Sequence, residues 1–440
     1  TITEHNFRAS DARATITAAL NGAGISAPSI SGWSTSGDRH TATVSFNSDG
    51  DYTFDIAYTD LAGNAMADYA QDSFTVDLTN PEIEITGVEN RSANKGTVAP
   101  VITLTDTNYT ANGVTLTLTG ADKGRINVDA MVSRSAVTNG QTITFRNFGE
   151  NMDDIYTLTA KLVDQAGNET TRSITFSVNR DGSTYKLNDY TAQLVQSGFT
   201  NSPKDIVIQE VNVDTLEFIE ITYTKDGEVV TLKEGVDYTV EEEGGDGQWK
   251  VYTYTIKASC FEEEGQYSIN IYSEDRAKNT STYQAKNSKL EEEEQMTLEF
   301  VVDKTAPSVS IANLEDRGRY RENVHEFTLS VKDNMLLSYV ELYLDGVLYH
   351  TYSGDELTVE DGVLTIPVDS KNAYQTVKII AYDAAGNPTD PVEYQVLVTS
   401  NWWIQFYMNK PLFFGCIAGI VVVAGVIIFL VVKRSKKDNK

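Results

Sequence analysis

Aspartates that follow strand-like stretches are the residues of this sequence best suited to chemistry. Asp77 and Asp303 each stand four residues before a proline, and Asp164 opens the string DQAGN. Carboxylate oxygens are the hard ligands that calcium prefers. Asp77, Asp164 and Asp303, with neighbouring carboxylates, are therefore candidate calcium ligands at junctions between domains. No other metal site and no other cofactor is predicted.

The histidines of the chain do not support catalysis. A hydrolase needs a nucleophile, a base and an orienting group in one cleft, usually with a histidine among them. The sequence also contains no GxxxxGK phosphate loop. The four histidines are isolated, and no two have the spacing of metal ligands: His5, His40, His325 and His350. We therefore predict that this chain is not an enzyme.

Two tryptophans could contact a ligand by stacking on a sugar. Trp249 alternates with Val251 in a strand-like pattern, which favours packing in a core. Trp33 lies in the loop-like stretch SISGWSTSG. Trp33 is therefore the one candidate ligand contact, for a carbohydrate or protein partner outside the cell.

A short string recurs along the chain and defines its organisation. DLAGN, DQAGN, DRAKN and DAAGN follow one another at intervals of 104, 111 and 108 residues, a period that fits one immunoglobulin-like sandwich of about 100 residues per repeat. Glycine and asparagine tolerate left-handed backbone and aspartate accepts turn amides, so each string predicts a hairpin tip. In the third string Lys278 replaces the glycine, which predicts a different turn type there. The structural residues assigned to these turns are Asp60, Gly63, Asn64, Asp164, Gly167, Asn168, Asp275, Asn279, Asp383, Gly386 and Asn387.

The segment before each string alternates apolar and polar residues, as a half-buried strand does. Tyr52, Tyr156 and Tyr267 stand eight residues before the aspartate of their string, where they match the tyrosine corner of immunoglobulin-like folds. Tyr374 stands nine residues before Asp383. Tyr374 is therefore out of phase, so that either a β-bulge restores it or it is not the equivalent residue.

These patterns predict an all-β chain of tandem immunoglobulin-like β-sandwiches followed by one C-terminal transmembrane helix. The first repeat is predicted to be incomplete at its N-terminus, because ITEHNF aligns with LTDTNY, which lies well inside the second repeat. The predicted units are four repeats at 1–79, 80–180, 181–302 and 303–400, a juxtamembrane aromatic segment at 401–411, the transmembrane helix at 412–432 and a basic tail at 433–440.

The DxAGN tips and the junction VDKTAP resemble those of bacterial immunoglobulin-like modules in large cell-surface proteins of Gram-positive, clostridia-type bacteria. The resemblance covers about 400 of the 440 residues. It implies the sandwich fold and a place at the cell surface. It assigns no functional residue, because such modules serve as spacers, adhesive units and enzyme accessories alike.

The segment 412–432 contains 21 residues without a charge, enough for about 31 Å of helix. Trp402 and Trp403 precede it and Lys433 and Arg434 follow it, a distribution that places the N-terminal region outside a cell membrane and the tail in the cytoplasm. Lipid is thus a predicted partner. Gly415 and Gly419 form a GxxxG pair that would allow a homodimer, although glycines are common in such helices.

Charge and cysteine content narrow the function further. The net charge of −28 excludes nucleic acid as a partner, and two cysteines, one of them in the apolar segment, exclude a disulfide framework. We interpret the chain as a non-enzymatic extracellular stalk that displays upstream domains. The alternatives are an adhesin whose repeats bind ligands directly and the anchoring region of an enzyme whose catalytic domain lies upstream of residue 1. The sequence names neither a ligand nor an oligomeric state.

Overall fold

The computed structural model describes residues 1–9, 12–13, 18–20, 23–26, 30–54, 57–67, 72–149, 151–282, 298–358 and 363–438. These residues form mainly antiparallel sheets that are stacked in pairs in the second, third and fourth repeats, followed by two C-terminal helices. The prediction of an all-β chain of sandwiches with one C-terminal apolar helix is confirmed.

The first repeat contains small sheets, β1–β6–β5, β2–β8, β3–β4 and β7–β9. Tyr52 is the buried centre of its described core, with Val44, Phe46 and Val76 packed around it. Its strands are β1 Ile2–Thr3, β2 Ala12–Arg13, β3 Ala18–Leu20, β4 Ala23–Ile25, β5 Ser31–Ser36, β6 Arg39–Thr43, β7 Gly50–Phe54, β8 Ala57–Tyr58 and β9 Asp72–Val76.

The second repeat is a sandwich of a four-stranded and a five-stranded sheet. Its strands are β10 Glu82–Thr86, β11 Ala93–Asn94, β12 Val101–Thr105, β13 Val114–Gly120, β14 Gly124–Arg125, β15 Val132–Val137, β16 Gly140–Phe145, β17 Asp154–Val163 and β18 Glu169–Val178. The sheet orders are β10–β12–β16–β15 and β11–β18–β17–β13–β14. Apolar side chains from both sheets form one core, in which Ile102, Ile143, Leu158 and Phe176 are buried.

The third repeat has the same two-sheet plan and its own core. Its strands are β19 Thr184–Leu187, β20 Phe199–Thr200, β21 Ile206–Asn212, β22 Leu216–Lys225, β23 Glu228–Thr231, β24 Tyr238–Glu243, β25 Lys250–Ile256, β26 Gly265–Asp275, β27 Thr280–Thr282 and β28 Leu298–Val302. The orders are β19–β21–β25–β24 and β20–β28–β26–β22–β23, with β27 also paired to β26. Helix α1, Asp189–Ser197, connects β19 to β20, with Asn188 as its N-cap and Gly198 in left-handed conformation at its end.

The fourth repeat pairs a three-stranded sheet with a five-stranded one. Its strands are β29 Ser308–Ala312, β30 Arg319–Tyr320, β31 Val324–Lys332, β32 Leu337–Leu344, β33 Val347–Ser353, β34 Val363–Asp369, β35 Gln375–Asp383 and β36 Val392–Val398, and a short helix α2 covers Asp355–Thr358. The orders are β29–β31–β34 and β30–β36–β35–β32–β33.

Alternation along the strands agrees with the predicted inward faces. Tyr156, Leu158, Ala160 and Leu162 of β17 are all at most 1 % exposed. The predicted inward residues of β26 and β35 are buried as well: Tyr267, Ile269, Ile271, Val377, Ile379 and Ala381. In the first repeat Tyr52 and Tyr58 are buried, whereas Phe54 and Ile56 lie outside the residues whose side chains are described.

The C-terminal part consists of two consecutive helices. Helix α3, Trp402–Met408, begins at the N-cap Asn401, whose side chain accepts from the amides of Trp403 and Ile404, so the predicted juxtamembrane segment is helical. Helix α4, Lys410–Asp438, contains one segment long and apolar enough to cross a membrane, at Lys410–Ser435. That segment packs against no core and its side chains are exposed.

Candidate functional site

The DxAGN turns are built around their aspartate. Asp164 Oδ1 accepts from the amides of Gly167 and Asn168 at 2.6 and 2.9 Å, and its Oδ2 accepts from Asn168 Nδ2 at 2.8 Å. Asp60 and Asp383 hold their turns through the same aspartate–asparagine bonds. Because both carboxylate oxygens have local donors, this side chain is held in one orientation at the tip of each hairpin.

The third turn has the same geometry, contrary to the prediction from Lys278. Lys278 takes a φ of 69°, in the left-handed region that Gly63, Gly167 and Gly386 occupy in the other turns. The amide of Lys278 donates to Asp275 O at 2.9 Å, as the glycine amides do to Asp60 and Asp383. A lysine therefore adopts the strained conformation here, because the bonds of Asp275 and Asn279 fix the turn around it.

The asparagine of the second, third and fourth turns also bonds to the preceding repeat. Asn168 Nδ2 donates to Asp77 O at 3.0 Å, and Asn387 Nδ2 donates to Asp303 O at 2.9 Å. In the middle junction Asn279 Nδ2 donates to Asn179 O at 2.9 Å. The side-chain amide of one asparagine thus bonds within its own turn and also to the residue that follows the last strand of the preceding repeat. Sequence reasoning assigned these asparagines only to the turns.

The junction between the third and fourth repeats contains three converging carboxylates. One oxygen each of Asp303, Asp333 and Asp383 lies within 4.8 Å of the others. Asp303 is fully buried and Asp383 is 2 % exposed. Among the described residues, Asp303 Oδ2 and Asp333 Oδ1 are buried oxygens without a hydrogen-bond partner. Burial raises the pKa of Asp303, and the carboxylates of Asp333 and Asp383 raise it further.

This cluster fits a calcium ion by its donor set. Unpartnered buried carboxylate oxygens are costly unless a positive group faces them, and calcium takes six to eight oxygen ligands from carboxylates, carbonyls and water. Asp303 directly follows β28, the last strand of the third repeat. In the fourth repeat, Asp333 directly follows β31 and Asp383 is the last residue of β35. A cation bound by all three would therefore connect the two repeats.

A second cluster of three carboxylates lies at the junction between the first and second repeats, and its oxygens accept more hydrogen bonds than those of the last junction. Oxygens of Asp77, Asp106 and Asp164 lie within 4.8 Å of one another, and Asn108 Nδ2 donates to Asp77 Oδ2 at 2.7 Å. Burial raises the pKa of Asp106, and Asp77 and Asp164 raise it further. For Asp164, burial acts to raise the pKa, but the donors of Asn168 and Gly167 leave it below its ordinary value.

The sequence-predicted calcium candidates are thus divided between two clusters. Asp77 and Asp164 lie together in the first cluster, and Asp303 lies in the second. Asp106 and Asp333 were not identified individually from the sequence. Their signal is positional, because each directly follows the second long strand of its repeat, β12 and β31 respectively.

The tyrosines before the turns bond to nearby backbone. Tyr52, Tyr156 and Tyr267 donate their hydroxyls to the carbonyl four residues earlier, at 2.8, 2.7 and 2.9 Å. In the fourth repeat the equivalent position is Gln375, which is 5 % exposed and donates Nε2 to Asp369 O at 2.7 Å. Tyr374 is therefore not the equivalent residue, and an amide replaces the phenol in that repeat.

Both tryptophans considered as ligand contacts lie elsewhere than predicted. Trp33 stands in strand β5 rather than in a loop, is partly buried, and packs edge-on against Phe7 with 4.9 Å between ring centroids. Trp249 precedes β25 and donates its indole N–H to Asp154 of the second repeat at 2.8 Å. It is a contact between repeats rather than a residue of one core, and nothing in the alternation pattern distinguished these roles.

The predicted membrane-interface residues occupy the two ends of the helical region. Trp402 and Trp403 are 62 % and 52 % exposed on α3, and Lys433 and Arg434 are exposed near the end of α4. A Cβ placed on Gly415 or Gly419 would have no atom of the described residues within 4 Å, apart from the backbone of its own helix. These positions are compatible with a lipid contact.

The histidines form no common site. His5 contacts Asp38, His40 contacts Thr35 and the carbonyl of Glu4, His325 contacts Glu322, and His350 contacts Glu356. In the part of the chain that the structure describes, the groups of three or more metal-ligating side chains are the two aspartate clusters.

The second, third and fourth repeats are separate two-sheet units, and each has one short parallel pairing at a sheet edge: β11–β18, β20–β28 and β30–β36. This architecture defines the protein as a tandem immunoglobulin-like sandwich protein. More specifically, residues 39–180 match the family described as bacterial Ig-like domain (group 3). No curated protein matches the chain.

Solved structures similar to the chain include several repeat proteins. The tetra-tandem repeat in the extending region of a large adhesion protein is 18 % identical and aligns over 79 % of this chain and 82 % of its own, with a TM-score of 0.32. Fibronectin(III)-like modules of CbhA from Clostridium thermocellum are 12 % identical over 49 % of this chain and 94 % of theirs, with a TM-score of 0.26. An I-band fragment from titin is 13 % identical and aligns over 73 % of this chain and 99 % of its own, with a TM-score of 0.26.

Proposed function

We propose that this chain is a non-enzymatic stalk, anchored in the cell membrane and extended outside the cell, whose first and last junctions between repeats are stiffened by calcium. The observation that carries the proposal is the aspartate cluster at the junction of the third and fourth repeats. Asp303 is fully buried and has one carboxylate oxygen without a hydrogen-bond partner, and two further carboxylates lie within 4.8 Å of its carboxylate.

Charge explains why a cation would stiffen such a junction. Without a cation, like charges within 4.8 Å of one another repel, and the repulsion is strong where water is excluded. A bound calcium ion would reverse this balance. It would attach Asp303, at the end of one repeat, to Asp333 and Asp383 in the next, so that bending at the junction would require breaking metal–oxygen bonds.

The anchoring part of the proposal rests on the C-terminal helices. The apolar segment of α4 is preceded by exposed Trp402 and Trp403 and followed by Lys433 and Arg434. Aromatic residues favour the headgroup level and basic residues stay in the cytoplasm. The repeats would therefore stand outside, where four sandwiches of about 30–40 Å each would extend roughly 120–160 Å from the membrane.

The orientation can be tested with a thiol reagent that does not cross membranes. In a variant of the chain carrying Cys260→Ser and Cys416→Ser, Val347→Cys places a thiol at a position that is 70 % exposed in the fourth repeat. We expect this thiol to be labelled on intact cells. Lys437→Cys in the same background should be labelled only after the cells are opened, and the reverse pattern would refute the proposed orientation.

The mechanical part of the proposal can be tested by electron microscopy of the full chain in detergent. With calcium we expect extended rods of nearly constant length. With a chelator we expect the same rods to bend at the first and last junctions, because repulsion within the clusters is no longer neutralised. Compact particles in both conditions would contradict a stalk, whereas rods that do not respond to chelation would contradict only the role of calcium.

A further inference from the structure

The three junctions between repeats share one frame, and the middle one has asparagine at two positions where the others have aspartate. In each junction the residue that follows the last strand receives a bond from the turn asparagine of the next repeat, as described above. That residue is Asp77 in the first junction and Asp303 in the third, but Asn179 in the middle. Asp275 occupies the place that Asp383 has in the third junction. The place of Asp333 is taken by Asn212, and Asp214 stands two residues further along the chain.

The amide nitrogen of Asn179 lies among the oxygens of the middle junction. It donates to Asn212 Oδ1 and Asp275 Oδ2 at 2.9 Å each, and it stands 3.2 Å from Asp214 Oδ2. Asn179 is fully buried, and Asn212 is 1 % exposed. An N–H group with partial positive charge thus faces both carboxylates at the position where the other junctions bring a third carboxylate.

Asp214, Asp275 and Asn179 also accept from other donors. Ser177 Oγ donates to Asp214 at 2.7 Å, and the turn amide of Asn279 donates to Asp275 Oδ1 at 2.9 Å. The Oδ1 atom of Asn179 accepts from the amide of Gly182 at 3.2 Å. Hydrogen bonds thus compensate the burial of two carboxylates here, and no third carboxylate adds to their charge.

Direct contacts between the second and third repeats support this junction from several sides. Trp249 donates to Asp154, as described above, and Lys95 Nζ donates to the carbonyl of Lys278 at 3.3 Å. Arg276 also donates to the carbonyl of Arg91. These hydrogen bonds join the second and third repeats directly, and none of them requires a metal cation.

We infer that the middle junction is locked without a cation, with the Asn179 side chain in the place of the metal, so that the chain binds calcium at two junctions and not at three. This inference rests on the proposed function of the other two clusters. The second and third repeats then form one calcium-independent rigid pair, and the flanking junctions are calcium-dependent. Asn179→Asp should convert the middle junction into a third calcium site, because it adds a third carboxylate beside those of Asp214 and Asp275.

Calcium stoichiometry of the full chain in detergent tests the inference, measured by isothermal titration calorimetry. We expect two calcium ions for the native chain, three for Asn179→Asp and one for Asp303→Asn. A native chain that binds none would refute the proposed function itself. A native chain that binds three, or an Asn179→Asp chain that still binds two, would refute only the role of Asn179.

A second measurement avoids dependence on the folding of Asn179→Asp. The background is the chain carrying Cys260→Ser and Cys416→Ser. In it, spin labels on Ser135→Cys and Val229→Cys report the distance across the middle junction. Labels on Val229→Cys and Val347→Cys report the distance across the last junction. All three labelled positions are exposed. Chelation should leave the first distance distribution unchanged and broaden the second at least twofold. Broadening of both would overturn the inference.

Discussion

Saturating calcium is expected to raise the melting temperature of the fourth repeat by about 10 °C or more. A ligand at about 100 times its dissociation constant stabilises the native state by about 2.7 kcal/mol, and about 1 kcal/mol shifts the melting temperature of a domain of this size by about 4–8 °C. The effect is large because Asp303, Asp333 and Asp383 converge only in the folded junction. Differential scanning calorimetry of the full chain in detergent, with calcium or with chelator, measures it.

The variant Asp303→Asn gives this prediction its control. An amide at position 303 would resemble Asn179 of the middle junction, so it should abolish the calcium response of the fourth repeat and raise its stability in chelator. Asp390→Asn replaces an exposed aspartate outside both clusters and should leave the calcium response unchanged. A calcium response that persists in Asp303→Asn would show that the ion binds elsewhere, and magnesium should act more weakly because it demands a stricter octahedral geometry.

Glu210→Ala is expected to destabilise the third repeat by about 3–5 kcal/mol. Glu210 on β21 is fully buried, and its carboxylate accepts from Ser183 at 2.5 Å, from Tyr254 at 2.6 Å and from Ser273. Its removal would leave these hydroxyls without their acceptor and open a cavity beside them. Each unsatisfied buried group costs about 1–3 kcal/mol, and cavities add to that cost. Urea unfolding of the full chain, followed by the transition of the third repeat, measures the loss.

Glu210→Gln separates hydrogen bonding from charge. Glutamine keeps the shape and one acceptor oxygen, and the hydroxyls can rotate to accept from its amide, so the expected loss is about 1–2 kcal/mol. If Glu210→Ala were no more harmful than Glu210→Gln, the buried hydroxyl network would contribute little to stability. The corresponding positions in the second and fourth repeats hold the buried residues Leu104 and Val331, so this network is a property of the third repeat alone among these three.

Periodicity along the chain predicted most of the fold, for a physical reason. A strand with one face in a core must alternate, so Tyr156, Leu158 and Ala160 could be placed inward without knowledge of any other strand. The hairpin tips were equally predictable, because an aspartate that accepts the amides of its own turn acts within five residues. Interactions between residues that are close in sequence can therefore be predicted from a short stretch of that sequence.

The candidate site depended on contacts that no local pattern contains. Asp303 and Asp383 are 80 residues apart, and they meet because the last strand of one repeat ends at the turn of the next. The positional signal of Asp333 and Asp106 did not single them out, since a single aspartate after a strand is common. Trp249 shows the same limit, because the alternation that favoured core packing cannot reveal that its indole reaches Asp154.

The residue that follows the last strand of each repeat has a consequence for how such chains diversify. Codons for aspartate and asparagine differ in one base, so a point mutation at this position exchanges the acid of Asp77 or Asp303 for the amide of Asn179. The asparagine that bonds to this residue belongs to the hairpin turn of the following repeat, so it is duplicated together with that repeat. Duplication of repeats, followed by single-base changes, can therefore set the number and order of ion-responsive hinges without altering the sandwiches.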